Sequence, residues 1–183
     1  MALLKSINVQ LGTKAIDFCL KGIDGAMHSL ADYDAKDVLV IVIMCNHCPY
    51  VHAVDDRLVL LQEKFAERNV QLVGINPNDG IKYPDDNFEN MVKRAEEKGY
   101  NFPYLRDEDQ SIAKKYQAQC TPDIYVYNKE RELCYHGQID DNWQHPEKVT
   151  SHDLSDAIEA LLGGDKPSPN QYPSMGCSIK WKE

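Results

Sequence analysis

Two cysteines separated by two residues form the motif with the clearest chemical meaning in this sequence. Cys45 and Cys48 enclose Asn46 and His47, and a C-x-x-C pair of this kind can close a disulfide and pass it to another thiol. The pattern predicts a strand-to-helix junction here, where backbone N–H groups at the start of the helix stabilise a thiolate. We therefore predict that Cys45 is the ionised nucleophile and that Cys48 resolves the mixed disulfide, with Asn46 and His47 as supporting residues.

A buried strand and an amphipathic helix must position this pair. Residues 38–44 are apolar and rich in β-branched side chains, which predicts a strand buried on both faces. After Pro49, apolar residues recur at intervals of three and four as far as Phe65, a spacing typical of one helical stripe. A second apolar run at 70–75 follows, and this order predicts a parallel crossover.

The remaining patterns predict a single α/β unit. Strand-like and helix-like segments alternate, which predicts one domain over residues 1–164. Residues 165–183 are rich in proline but end in apolar side chains, so we predict a C-terminal tail that packs on the domain. The other predicted elements are an N-terminal hairpin within residues 18–30, helices at 85–99 and 109–116, antiparallel strands at 123–127 and 133–135, and a last helix that opens with a capping box of Thr150 and Asp153.

The composition limits the partners that we expect. The 183 residues include 20 Lys and Arg against 29 Asp and Glu, which gives a net charge of −9. An acidic chain repels a phosphate backbone, so nucleic acid is not an expected partner. No apolar run approaches the roughly 18 residues that cross a membrane. We expect a cytoplasmic protein whose six cysteines stay reduced unless they do redox work, and the sequence leaves its oligomeric state open.

Four short segments carry a resemblance to a known family. They are residues 17–25, the strand that ends in residues 45–50, residues 102–107, and Thr121-Pro122-Asp123. Together they resemble the thioredoxin-like superfamily and, within it, the redoxin group related to alkyl hydroperoxide reductase and thiol-specific antioxidant (AhpC/TSA). The resemblance implies a thioredoxin-like fold, with a central mixed β-sheet flanked by helices.

The same resemblance implies an enzyme with a redox-active centre and an antioxidant role. It implies a thiol-disulfide oxidoreductase that exchanges disulfides with protein or small-molecule thiols and needs no cofactor. It also implies that Pro122 follows a cis peptide bond and, together with Thr121, presents the substrate to the dithiol.

The sequence departs from thioredoxin itself around the dithiol. Met44 replaces the tryptophan before the first cysteine, and Asn46-His47 replaces Gly-Pro. Leu39 stands where thioredoxin has a buried proton-accepting aspartate, which predicts a different proton route. A histidine just before the second cysteine resembles the pairs of disulfide isomerases and oxidases, whose reduced forms gain from a stabilised thiolate.

A peroxidase is one alternative. Peroxiredoxins place a proline and a threonine at set positions before the peroxidatic cysteine. Counted from Cys45, these positions are Val38 and Val42; counted from Cys48, they are Ile41 and Cys45 itself. Because the hydroxyl that would orient a peroxide is missing from both registers, we expect peroxide reduction to be slow.

A non-catalytic metal-binding or redox-sensing protein is a second alternative. Cys45, His47, Cys48 and His52 supply four sulfur or nitrogen donors that are close in sequence, and such a set can hold Zn²⁺ or Cu(I). One helix would not aim all four donors at a single point, so we expect no bound metal.

The other cysteines are isolated in sequence. Cys120 lies just before Pro122 and is either an additional redox thiol or part of a packed strand. Cys177, on the tail, is an additional redox thiol if docking brings it to the dithiol. Cys19 and Cys134 alternate with apolar neighbours and are predicted to be core residues.

Overall fold

A mixed sheet of seven strands and a smaller sheet of three strands form the framework of the molecule. The computed structural model describes residues 3–183, so the first two residues of the predicted domain 1–164 lie outside the described residues. The strands are β1 (Leu3–Lys5), β2 (Cys19–Gly22), β3 (Met27–Ser29), β4 (Val38–Ile43), β5 (Val70–Asn76), β6 (Tyr104–Arg106), β7 (Cys120–Thr121), β8 (Asp123–Tyr127), β9 (Leu133–His136) and β10 (Met175–Ser178). The helices are α1 (Pro49–His52), α2 (Asp55–Phe65), α3 (Phe88–Lys98), α4 (Ser111–Lys115) and α5 (Asp153–Leu162).

The large sheet has the order β3-β2-β6-β5-β4-β8-β9. β4 pairs in parallel with β5 and β5 with β6, while the other neighbours are antiparallel. The predicted parallel pairing, the N-terminal hairpin of β2 and β3 and the antiparallel pair β8 and β9 are confirmed. The fold is mixed α/β, with helices packed on a mixed sheet.

Strand β4 is buried on both faces because its side chains alternate between two cores. Val38, Val40 and Val42 enter the core that also contains residues of α2, α3 and α5, and Leu39, Ile41 and Ile43 enter the core that contains residues of α4. The apolar run therefore predicts the position of β4 correctly, and its C-terminal end delivers the dithiol to the edge of the first core.

The predicted helix after the dithiol is interrupted. α1 ends at His52, and α2 begins at Asp55 after Val54, whose backbone is not helical. The carboxylate of Asp55 is fully buried and pairs with Arg94 and Lys98 of α3. Because acidic groups stabilise a helix N-terminus, this buried pairing accounts for a new helix start at Asp55.

Two predicted helix starts are wrong in detail. α3 begins at Phe88 rather than at 85, because the side chain of Asn87 accepts a hydrogen bond from the backbone N–H of Asn90 at 2.9 Å and caps the helix there. The predicted capping box of the last helix is absent, since the Thr150 hydroxyl bonds to Asp141 instead. Across residues 3–183, each helix is too short or too polar to serve as a membrane span.

The C-terminal tail contains strand β10, which lies between β1 and β7 in the smaller sheet. Both pairings are antiparallel, and Cys177 stands opposite Leu3 on one side and Thr121 on the other. The tail thus reaches the loop that contains Pro122.

Helix α2 offers a matched test of the core. Leu58 is 0% exposed and Leu60 is 61% exposed on the same helix. We expect Leu58→Ala to lower the free energy of unfolding by about 2–5 kcal/mol, because it removes buried methyl groups and leaves a cavity. Leu60→Ala should change it by less than about 0.5 kcal/mol. Denaturant unfolding followed by circular dichroism measures both, and equal effects would contradict the described packing.

Candidate active site

The two cysteines of the motif lie together just beyond the C-terminal end of β4. Cys48 is the N-cap of α1 and Pro49 is its first residue, a position that proline tolerates because the missing N–H has no helical partner there. The side chains are almost completely enclosed, with Cys45 1% exposed and Cys48 0% exposed. A buried pair of this kind reacts with another molecule only after something that covers it moves.

Thr121 contacts both sulfurs. Its hydroxyl oxygen lies 3.3 Å from Sγ of Cys45, and its carbonyl oxygen accepts a hydrogen bond from the Cys48 thiol at 3.1 Å. The peptide bond between Thr121 and Pro122 is cis, which confirms that implication of the family resemblance. The loop before β8 therefore contacts both sulfurs of the dithiol. The Thr121 hydroxyl lies beside Cys45, and the Thr121 carbonyl lies beside Cys48.

The charge of the reduced site belongs to the pair rather than to Cys45 alone. Burial raises the pKa of Cys45, and the nearby carboxylate of Asp86 acts in the same direction. A hydrogen bond from Cys45 is the largest cause that lowers the pKa of Cys48 to about 4, and bonds from Cys177 and Thr121 add to it. The expectation of an ionised Cys45 is therefore revised: one proton is shared across the two sulfurs.

Each position of this proton has a partner in the structure. When the proton is on Cys45, that thiol donates to the Cys48 thiolate. When it is on Cys48, the thiol donates to the carbonyl of Thr121, and the Thr121 hydroxyl can donate to a thiolate on Cys45. The pair can thus move its charge from one sulfur to the other without leaving a polar group unpartnered.

A buried aspartate lies beside the dithiol that sequence analysis did not single out. Asp86 is 0% exposed and ends the short helical turn Pro84–Asp86 between β5 and α3. Its carboxylate accepts hydrogen bonds from the backbone N–H of Asn46 at 2.6 Å, from the side-chain amide of Asn78 at 2.8 Å, and from the ring of His47. Every donor needed by a buried carboxylate is therefore supplied by this loop and its neighbours.

Asp86 and His47 form an ion pair next to Cys45. Burial opposes ionisation of Asp86, but its hydrogen bonds, with that from His47 the strongest, lower its pKa. The hydrogen bond to Asp86 is in turn the main cause that raises the pKa of His47. Since Leu39 occupies the place of thioredoxin's aspartate, this pair supplies the titratable groups that a different proton route requires.

The local sequence contains no signal that would have found Asp86. In the sequence it belongs to a group of acidic residues that was interpreted as the first turn of the helix at 85–99. Asp86 bonds to Asn46 and His47 only because the connection between β5 and α3 lies against the segment that carries the two cysteines. Asn46 fastens the two segments further, because its amide donates to the carbonyl of Asp85 at 2.8 Å and its side-chain oxygen accepts from Tyr104 at 2.9 Å.

The four donors considered for a metal do not come together as a set. His52 is hydrogen-bonded through Nε2 to the carbonyl of Asn46. The structure groups Cys45, His47 and Asp86 instead, with ligand atoms that all lie within 4.8 Å of one another. Two of these three already bond to each other, so a metal would have to displace the His47–Asp86 hydrogen bond.

The remaining cysteines differ in their surroundings. Cys120 is buried, its thiol lies 3.7 Å from the carbonyl oxygen of Pro122, and burial raises its pKa. Cys177 is buried and belongs to the same core cluster as Cys45 and Cys48. The prediction of core positions for Cys19 and Cys134 is wrong: Cys19 is exposed at the start of β2, and Cys134 is half-buried on β9, the edge strand of the large sheet.

Comparison with known proteins identifies the family. A sequence model of the AhpC/TSA family matches residues 11–136, a range that runs from before β2 to the end of β9 and includes the dithiol and the loop of Pro122. The chain belongs to the AhpC/TSA family. Membership in this family supports a redox role. No curated protein matches the chain.

Solved structures show how far the resemblance extends. An uncharacterised protein from Geobacillus kaustophilus is 43% identical with a TM-score of 0.94, over 100% of this chain and 97% of that one. A hypothetical protein from Sinorhizobium meliloti 1021 is 38% identical with a TM-score of 0.93, over 97% and 98% of the two chains. The peroxidoxin BcpB of Mycobacterium tuberculosis, at 17% identity, 85% and 96% coverage and a TM-score of 0.60, shares the fold. The fold is thioredoxin-like, as the resemblance implied.

The ion pair beside the dithiol can be tested by titration. We expect Asp86→Asn to lower the pKa of His47 towards its ordinary value, because the neutral amide no longer stabilises the imidazolium. The control is Asp85→Asn, which alters an exposed neighbour and should leave the titration of His47 unchanged. NMR of the histidine ring measures the shift, and an unaltered pKa in Asp86→Asn would contradict the pairing.

The shared proton of the dithiol predicts a specific pH dependence. Since the pKa of Cys48 is lowered to about 4, the reduced protein should hold a thiolate at neutral pH and lose it as the pH falls through about 4. Thiolate absorbance at 240 nm follows this change. Cys45→Ala should raise the midpoint, because it removes the thiol that donates to the Cys48 thiolate. Cys48→Ala should raise it too, because burial raises the pKa of the remaining Cys45. Cys134→Ser serves as the control, and a wild-type midpoint near that of a free cysteine would refute the prediction.

Proposed function

We propose that this protein is a thiol-disulfide oxidoreductase that exchanges disulfides with protein or small-molecule thiols through Cys45 and Cys48. The observation that carries the proposal is that one residue, Thr121, contacts both sulfurs of the motif, at 3.3 Å from Cys45 and 3.1 Å from Cys48. Such a pair has one sulfur that can attack a disulfide as a thiolate and a second sulfur in place to resolve the product. Membership in the AhpC/TSA family supports the same class of chemistry.

The first step of the proposed reaction uses Cys45. Its proton moves to Cys48, which then donates to the carbonyl of Thr121, while the Thr121 hydroxyl stabilises the charge on Cys45. The Cys45 thiolate attacks one sulfur of the substrate disulfide, a Cys45–substrate bond forms, the substrate S–S bond breaks, and the first substrate thiolate leaves and takes up a proton.

The second step uses Cys48. It attacks the sulfur of Cys45, so that the Cys45–Cys48 bond forms and the Cys45–substrate bond breaks, and its proton passes to the second substrate thiolate as that group leaves. The His47–Asp86 pair lies beside this reaction and can hold or release a proton as the charges change. In sum, the substrate disulfide is reduced to two thiols, and the dithiol is oxidised to a disulfide.

A peroxidase is a second candidate that one observation favours. The hydroxyl missing from the sequence positions before each cysteine is supplied in space by Thr121, 3.3 Å from Sγ of Cys45. Disulfide exchange is favoured by the second sulfur, because Cys48 meets Thr121 beside Cys45 and can resolve a mixed disulfide. We therefore place disulfide exchange first.

Insulin reduction tests the proposed function. The wild type should accelerate dithiothreitol-driven reduction of insulin disulfides, and Cys45→Ser should fall to the uncatalysed rate because the attacking sulfur is lost. Cys134→Ser, a half-buried cysteine far from the motif in sequence, is the control and should retain activity. Cys48→Ser should accumulate a mixed disulfide at Cys45, which mass spectrometry detects.

Two outcomes would overturn the proposal. One is rapid consumption of hydrogen peroxide by a wild type that leaves insulin intact, which would favour the peroxidase. The other is stoichiometric Zn or Cu in protein purified without chelator, with Cys45 and Cys48 blocked to thiol labels, which would favour the metal-binding alternative.

A further inference from the structure

The tail strand β10 lies directly on the loop of Thr121 and Pro122, which we call the catalytic loop. β10 pairs with β7, and its Cys177 stands opposite Thr121, the residue that contacts both sulfurs of the dithiol. An incoming peptide that paired with the same edge would have to displace β10. The tail therefore occupies the place next to Pro122 where an extended substrate would bind.

Gly176 permits this close approach. A Cβ atom at this position would lie 1.9 Å from the carbonyl oxygen of Thr121 and 3.2 Å from the nitrogen of Pro122. Both neighbours are backbone atoms of the catalytic loop and cannot turn aside as a side chain can. Any other residue at 176 forces the strand away from the loop, so the docking of Cys177 depends on this glycine.

Cys177 is placed for chemistry with Cys48. Its side chain is 2% exposed and lies in the same buried cluster as Cys45 and Cys48, and its strand places it opposite Thr121. Burial is the main cause that raises the pKa of Cys177 to about 12, and the charge on Cys48 adds to it. When Cys48 is oxidised, that charge is gone, and Cys177 loses its proton more readily than in the reduced site.

We propose that Cys177 is a third redox residue, which attacks Cys48 in the oxidised protein and moves the disulfide from Cys45–Cys48 to Cys48–Cys177. The Cys48–Cys177 bond forms, the Cys45–Cys48 bond breaks, and Cys45 leaves as a thiolate beside the Thr121 hydroxyl. The proton lost by Cys177 passes to Cys45 or to the His47–Asp86 pair. No electrons are gained or lost, since one disulfide replaces another.

This exchange, which rests on the proposed function, gives the tail a defined role. In the oxidised protein a Cys48–Cys177 bond fastens β10 over the site, so that Cys45 stays covered. In the reduced protein the strand is held only by hydrogen bonds and packing, so it can leave the loop and admit a substrate.

Disulfide mapping tests the proposal directly. The full chain is oxidised in a glutathione redox buffer, its free thiols are alkylated, and peptides are mapped by mass spectrometry. We expect the wild type to contain both Cys45–Cys48 and Cys48–Cys177, Cys45→Ser to contain Cys48–Cys177, and Cys177→Ser to contain only Cys45–Cys48. Cys134→Ser is the control and should match the wild type.

The outcomes separate this inference from the function on which it rests. One outcome is that the Cys45–Cys48 bond forms and insulin is reduced, but Cys177 can still be alkylated in both the wild type and Cys45→Ser. The proposed redox role of Cys177 is then wrong, and the proposed oxidoreductase function is retained. If neither Cys45–Cys48 nor insulin reduction is found, both proposals fail.

A glycine substitution tests the docking that the exchange requires. Gly176→Ala should lose the Cys48–Cys177 bond, keep the Cys45–Cys48 bond, and be alkylated at Cys48 roughly tenfold faster when reduced, because an opened segment exposes the sulfur. The control is Gly163→Ala, where the new Cβ would meet ordinary contacts of 3.4 Å. Retention of Cys48–Cys177 in Gly176→Ala at the wild-type level would overturn the proposed geometry.

Discussion

A negative charge on a sulfur inside a protein core needs hydrogen-bond donors around it, and the loop of Thr121 and Pro122 meets this constraint. Thr121 offers a hydroxyl to Cys45 and a carbonyl to Cys48, so the pair can hold one proton in either of two places. The position of the loop before β8 is thus set by the chemistry of two sulfurs that lie far from it in sequence.

The His47–Asp86 pair extends the same principle to a carboxylate. Asp86 is buried, yet it stays charged because hydrogen bonds from His47, Asn78 and Asn46 outweigh the cost of burial. Those bonds also tie the connection between β5 and α3 to the loop that carries the dithiol. One buried charge therefore stabilises the shape of the site, and its carboxylate lies within 4.8 Å of the ligand atoms of Cys45 and His47.

The tail explains why both cysteines are enclosed. β10 bridges β1 and β7 in a separate small sheet, and the absence of a side chain at Gly176 lets it lie against the carbonyl of Thr121. Cys45, Cys48 and Cys177 lie in one buried cluster. A strand outside the stretch matched by the family thus contributes to the cover of this site.

The sequence by itself determined the elements whose signal is local. The apolar run of β4, the C-x-x-C motif at its end and the hairpins follow from periodicity and turn chemistry, which neighbouring residues specify. Tertiary structure alone decided the partners of the dithiol. Asp86 is an ordinary acidic residue in sequence, Cys177 was one of two possible extra thiols, and the charge assigned to Cys45 proved to be shared with Cys48. Burial and hydrogen bonds between segments distant in sequence set these properties, and no local pattern records them.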